Sequence, residues 1–95
     1  MNMKVFQTKN RPGVLSFTNY ERIDEDELYK QAIEQLKKNP LFSLGKKISG
    51  PSEEIQECRI NEYSFFLIND FNYGVEIHSN SQKAIQILSD YFGVA

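Results

Sequence analysis

Residues 63–69, Tyr-Ser-Phe-Phe-Leu-Ile-Asn, are apolar at odd and even positions alike. A β-strand sends successive side chains to opposite faces, so a run of this kind needs cover on both sides. It sits between two further extended runs, 53–60 (EEIQECRI) and 73–79 (YGVEIHS). Asn61-Glu62 separates the first pair, and Asn enters the left-handed region more easily than most residues, so a tight hairpin is expected there. Asp70-Phe71-Asn72-Tyr73, followed by Gly74, is placed to close the second hairpin. Strands joined by short turns pair antiparallel. A three-strand antiparallel meander is therefore the frame to which the rest of the chain must fit.

Two amphipathic segments flank it. Asp24 is a natural N-cap with Glu27 three positions on, and Leu28, Ala32, Ile33 and Leu36 make one stripe, with Tyr29 on its shoulder. This predicts a helix over 24–38, stopped by Asn39-Pro40. Its capping duty gives the acidic cluster 24–27 a structural role. Ser79 and Gln82 have the same capping spacing, and Ala84, Ile85, Leu88, Tyr91 and Phe92 line the second helix, with Gly93 just past its end. Before the first helix, 3–8 and 14–18 read as extended arms around Pro12-Gly13, where a type II turn would require positive φ at Gly13. Residues 1–13 could equally be a loose arm. Residues 45–49 form a candidate short strand before Gly50-Pro51.

These elements make one α+β domain spanning 1–95. The expected architecture is a two-layer sandwich, with two helices on an antiparallel sheet of three to five strands, in the order β(β)–α–(β)–β–β–β–α. Pairing through the turns sets Phe66 against Ile77 and Ile68 against Val75. Ile55, Phe66, Ile68, Val75 and Ile77 then share one face, and Cys58, Ile60, Tyr63, Phe65 and Leu67 the other, the latter interrupted by Gln56, Glu76 and His78. Two short helices cover one face only. The other is met by Val5, Phe6, Val14, Leu15, Phe17 and Phe42 from residues 1–18 and 41–49, or by another molecule.

Charge narrows the choice of molecule. The net charge is −2, but residues 1–50 carry nine basic and six acidic groups, whereas 51–95 carry two and seven. A negative sheet region repels phosphate and attracts basic proteins. The helix–three strands–helix order resembles that of double-stranded-RNA-binding domains, which carry a Lys-rich start to the last helix. Here that stretch is Ser79-Asn80-Ser81-Gln82-Lys83, with one Lys, so no nucleic-acid partner is expected.

Enzymatic chemistry finds little footing. One Cys and one His leave no thiolate–imidazole zinc site, so neither metal nor cofactor is expected. Cys58 and His78 lie on strands separated by a third, roughly 10 Å apart at ladder spacing, without a turn that would expose a nucleophile. Glu53/Glu54 and Asp70/Glu76 are carboxylate pairs of a kind any acidic chain offers, and no catalytic role is assigned to them. Gly45-Lys46-Lys47 lacks the rest of a phosphate loop. With no apolar run long enough for a membrane span and no apolar leader at the N-terminus, a cytoplasmic protein is expected.

The reading is a non-catalytic protein-binding domain with a basic partner. At class level it resembles small acidic immunity or antitoxin proteins that neutralise a toxin. Its expected contact residues are Tyr63, Phe65, Leu67, Phe71 and Tyr73 as aromatic and apolar anchors, rimmed by Glu57, Glu62, Asp70 and Glu76. A homodimer that closes its own second sheet face is the alternative, and an enzyme comes third.

Overall fold

Alternation of side chains and the turn residues set the strands of the computed structural model, which describes residues 4–8, 10–18, 24–71 and 74–94. The elements are β1 (Val5–Phe6), β2 (Val14–Phe17), α1 (Glu25–Lys37), β3 (Phe42–Ser49), β4 (Glu53–Ile60), β5 (Tyr63–Asp70), β6 (Gly74–His78) and α2 (Gln82–Phe92). All six strands join one sheet in the order β1–β2–β6–β5–β4–β3, every neighbouring pair antiparallel. The class and the element order are those expected, with one strand more than the largest sheet foreseen.

The extra width decides the architecture. Segments 1–18 and 41–49 were candidates to cover the second face of the meander, and the strands they contribute, β1, β2 and β3, lengthen the sheet instead. β2 pairs with β6, placing Leu15 opposite Ile77, and β3 pairs with β4, placing Phe42 opposite Ile60. Their apolar residues enter the same layer as the meander rather than lidding it.

Both helices pack on one face. There Leu15, Phe17, Cys58, Ile60, Phe65, Leu67, Val75 and Ile77 meet Leu28, Ala32 and Leu36 of α1 and Ala84, Ile85 and Leu88 of α2. Full burial of each large side chain contributes about 1.5–3 kcal/mol. Phe92 meets Phe17 edge-on at 5.4 Å, and the Tyr91 hydroxyl donates to the Gln35 carbonyl at 2.6 Å, tying the two helices together. The Asn69 amide, fully buried, donates to Asp26 at 2.9 Å and holds the first turn of α1 on β5.

Local signals explain the element ends, with some corrections. Asp24 caps α1 by accepting from the Asp26 N–H. Asn61 takes φ 57° in the β4–β5 turn, and Gly93 ends α2 at φ 71°. α2 begins two residues later than expected because Ser81, not Ser79, is its N-cap; the Ser79 hydroxyl donates to the Ser64 carbonyl instead. Gly13 does not take positive φ. Its need for a missing side chain is a close approach, since a Cβ there would lie 2.7 Å from the Ser79 carbonyl oxygen, beside the 2.9 Å bond from Ser79 N–H to Gly13 O.

The β5–β6 register differs by one residue from the expected pairing. Asp70 pairs with Gly74, whose φ of 83° accommodates a three-residue connection, so Leu67 faces Ile77 and Phe66 faces His78. A one-residue slip exchanges the faces of one strand relative to its neighbour. Val75 and Ile77 accordingly join Phe65 and Leu67 under the helices.

Candidate functional site

No element lies over the other face of the sheet among the described residues. Strand alternation brings Glu53, Ile55, Glu57 and Arg59 of β4 to it, with Ser64, Phe66, Ile68 and Asp70 of β5 and Glu76 and His78 of β6. Phe66 is 38 % exposed, and Phe6 and Ile48 toward the two edges are more so. Glu57 stands directly opposite Phe66, and Glu53 opposite Asp70. The pattern is an apolar middle of Ile55, Phe66 and Ile68 with carboxylates around it.

The best-built part of this face centres on Glu76. Ser16 of β2 is its direct cross-strand partner and donates its hydroxyl to Oε2 at 3.2 Å. Arg11, carried on the β1–β2 connection, reaches over the edge and donates from Nη1 to Oε2 at 3.0 Å and from Nη2 to Oε1 at 3.3 Å. His78, two residues along the same strand and so on the same face, places Nε2 2.9 Å from Oε1. These partners leave Glu76 only 8 % exposed on a face that no helix covers. Burial alone would raise its pKa, but the hydrogen bonds from His78 and Arg11, and their charges, outweigh it and hold the carboxyl below the usual range. Beside it is a shallow depression of about 280 Å³, lined by Arg11, Glu53, Ile68, Asp70, Glu76 and His78. Arg11 and His78 already engage Glu76 there, which leaves Glu53 as the carboxylate beside the Ile68 floor.

The structure separates the expected contact residues. Glu57, Asp70 and Glu76 lie on the uncovered face. Glu62 is exposed in the β4–β5 turn, and Phe71, 59 % exposed, adjoins the turn at the other end of β5. Tyr73 lies outside the described residues. Phe65 and Leu67, expected as contact residues, are instead fully buried under the helices, and Tyr63 packs against the same core. The apolar side chains on the free side are Phe66, Ile68 and Ile55, none of them among the expected contact residues.

That reversal had a readable signal in β4. Arg59, Glu57 and Glu53 all fall on one face of the strand, opposite Gln56, Cys58 and Ile60. A helix cannot be laid over three charges without desolvating them, so the helices must take the other side. Arg11 and His78 as partners of Glu76 had no comparable signal, because their meeting depends on the β2–β6 pairing between distant parts of the chain.

The geometry also disposes of a Cys58–His78 pair. Cys58 points into the helix-covered core and His78 to the free face, with the sheet between them. Burial pushes the Cys58 thiol up to about 12, where the thiolate is scarce at neutral pH. Glu53 and Glu54, as neighbours on a strand, project to opposite faces. No cluster of three or more His, Cys, Asp or Glu with metal-binding geometry occurs among the described residues, and none of their helices is long and apolar enough to cross a membrane. Comparison with known proteins finds no matching family model, no significantly similar curated protein and no significantly similar solved structure.

Proposed function

We propose that this chain is a non-catalytic protein-binding domain that presents its uncovered sheet face to a basic partner, in the manner of an immunity or antitoxin protein neutralising a basic toxin. The observation that carries this reading is the bare face itself. Six strands wide, it holds Ile55, Phe66 and Ile68 among Glu53, Glu57, Asp70 and Glu76, with Arg11, Arg59 and His78 among its basic groups. Carboxylates at the margin steer a cationic surface into register, and a half-exposed aromatic ring supplies the anchor. A Lys or Arg side chain of the partner has a seat over Ile68, beside Glu53.

The test is capture from the source lysate on immobilised protein at low and high salt, with identification of what is retained. The product of the neighbouring reading frame is the first candidate to mix with the purified protein. Binding should weaken as salt rises, weaken further in Glu53→Gln/Glu57→Gln, and fall sharply in Phe66→Ala. Capture insensitive to both salt and Phe66→Ala would overturn the reading.

Self-association through the same face is a second reading, favoured by the exposure of Phe6, Ile48 and Phe66. The carboxylates disfavour it, because a two-fold contact brings like charges together. A dimer that survives dilution in sedimentation, and is lost in Phe66→Ala, would establish it in place of the first.

A further inference from the structure

The sheet has two edges of unequal character. β1, at one, is two residues long. β3, at the other, runs for eight residues, and everything from Ser43 to Ser49 is exposed. An edge of that length offers a row of backbone donors and acceptors to any extended segment alongside it.

Its side chains are apolar on both faces. Leu44 stands opposite Cys58 and so projects to the helix side, yet it remains 46 % exposed, because α1 sits inboard of the edge. Ile48 stands opposite Ile55, projects to the free face and is 50 % exposed. Between α1 and β3 lies a depression of about 220 Å³ lined by Tyr29, Lys30, Ile33, Leu44, Lys47 and Gln56. The Tyr29 hydroxyl is buried there without a hydrogen-bond partner among the described residues. An added strand would lay alternate side chains into this depression and against Ile48.

The edge strand itself carries Lys46 and Lys47 and no acid, while Glu54 and Glu57 lie behind it on β4. Lys30, Lys46 and Lys47 border this edge. Among the described residues the carboxylate paired with them is Glu54, 3.4 Å from Lys47 with both side chains well exposed, a contact that solvent screens. A second copy of β3 is a poor occupant. Antiparallel pairing about a two-fold axis would bring Lys46 and Lys47 of both copies together. The register shift between Leu44 and Lys47 also breaks the edge that such a copy must match. Gln56 fixes this irregularity by donating to the carbonyls of Gly45 and Lys46 at 3.0 and 3.3 Å.

We infer that the β3 edge is a second docking strip, which takes an extended, acidic segment of another polypeptide by strand addition. The backbone supplies affinity, Leu44 and Ile33 receive apolar side chains, and the lysines select acidic neighbours. This interface shares only Ile48 with the uncovered face, and its test reads β3 amides and β3 lysines that the other reading does not use.

The test is NMR titration of the ¹⁵N-labelled protein with a blocked heptapeptide that carries both Glu and Leu on each face of an extended strand (Leu-Leu-Glu-Glu-Leu-Leu-Glu), and with its twin carrying Lys for Glu. The Glu peptide should shift the amides of residues 42–49 saturably, and the Lys twin should not. Lys46→Glu/Lys47→Glu should weaken the Glu peptide by at least about tenfold while leaving the circular dichroism spectrum unchanged, since both residues are exposed. Any of three results would overturn the inference. These are no shift along β3 at millimolar peptide, equal response to the Lys twin, and concentration-dependent β3 shifts without peptide, which would make a second copy the occupant.

Discussion

Phe65 and Phe66 are adjacent and identical, yet substitution of each should have very different consequences. Phe65 is fully buried under the helices, its ring 6.1 Å from that of Phe42. Truncating a buried Phe to Ala costs about 3–5 kcal/mol in lost transfer energy and cavity. A domain of this length has roughly 5–14 kcal/mol of stability in all. With a urea m-value of about 1–1.5 kcal/mol/M for a small domain, Phe65→Ala should lower the unfolding midpoint by about 3 M. Should that variant fail to fold, Phe65→Leu keeps much of the volume and should cost about 1–1.5 kcal/mol. Phe66 is more than a third exposed on a face with no second layer, so Phe66→Ala should cost only about 0.5–1 kcal/mol. The chain has no Trp, so unfolding is best followed by far-UV circular dichroism. If Phe66→Ala proved as damaging as Phe65→Ala, the face assignment would be wrong and the bare-face reading would fall with it.

Three further outcomes are expected. Glu76 is held below its ordinary value of 4.5 in the folded chain, so it stabilises the fold above that pH, and the contribution is lost as pH falls through its folded value. Arg11→Ala should remove about 1 kcal/mol at neutral pH, a charge-assisted pair discounted for the half-exposed arginine; it should also flatten the acid-side decline in urea midpoint, and an unchanged slope would contradict the assigned pairing. Gly13→Ala places a Cβ against the Ser79 carbonyl and should cost about 1–3 kcal/mol, with faster hydrogen exchange at the Ser79 amide; a neutral result would show that the approach relaxes freely. Cys58, buried with its thiol pushed up to about 12, should react with a disulfide reagent only as fast as the chain opens, and Cys58→Ser should leave partner binding intact.

The parts of the fold legible in the sequence were those specified by neighbours in the chain. Asp24, Asn61 and Gly93 each act at the element end where their local chemistry placed them. The limits of β4 follow directly from its flanking turns. Long-range pairing was not legible in the same way. Leu15 and Phe17 look the same whether they fold over a sheet or extend it, and only their pairing with β6 and β1 distinguishes the two. The β5–β6 register turned on one residue in a connection whose length the sequence left open, and it carried Val75 and Ile77 to the side of Phe65 and Leu67. Of the expected contact residues, the charged ones on β4 to β6 landed on the free face because charge resists burial under a helix. Tyr63, Phe65 and Leu67 did not, because an apolar residue on a central strand is equally at home on either face.

The pairing of β2 with β6 also affects how the chain is made. Leu15 leaves the ribosome long before Ile77, its cross-strand partner, whereas β3, β4, β5 and β6 can zip into successive hairpins as they appear, each within microseconds. Synthesis proceeds at about 5–20 residues per second, so for seconds β2 has only the two-residue β1 beside it and its β6 edge stays open on the nascent chain. Translation stalled before β6 emerges would leave Leu15 and Phe17 open to chaperones or to neighbouring chains, and completion of the sheet is the step that withdraws them.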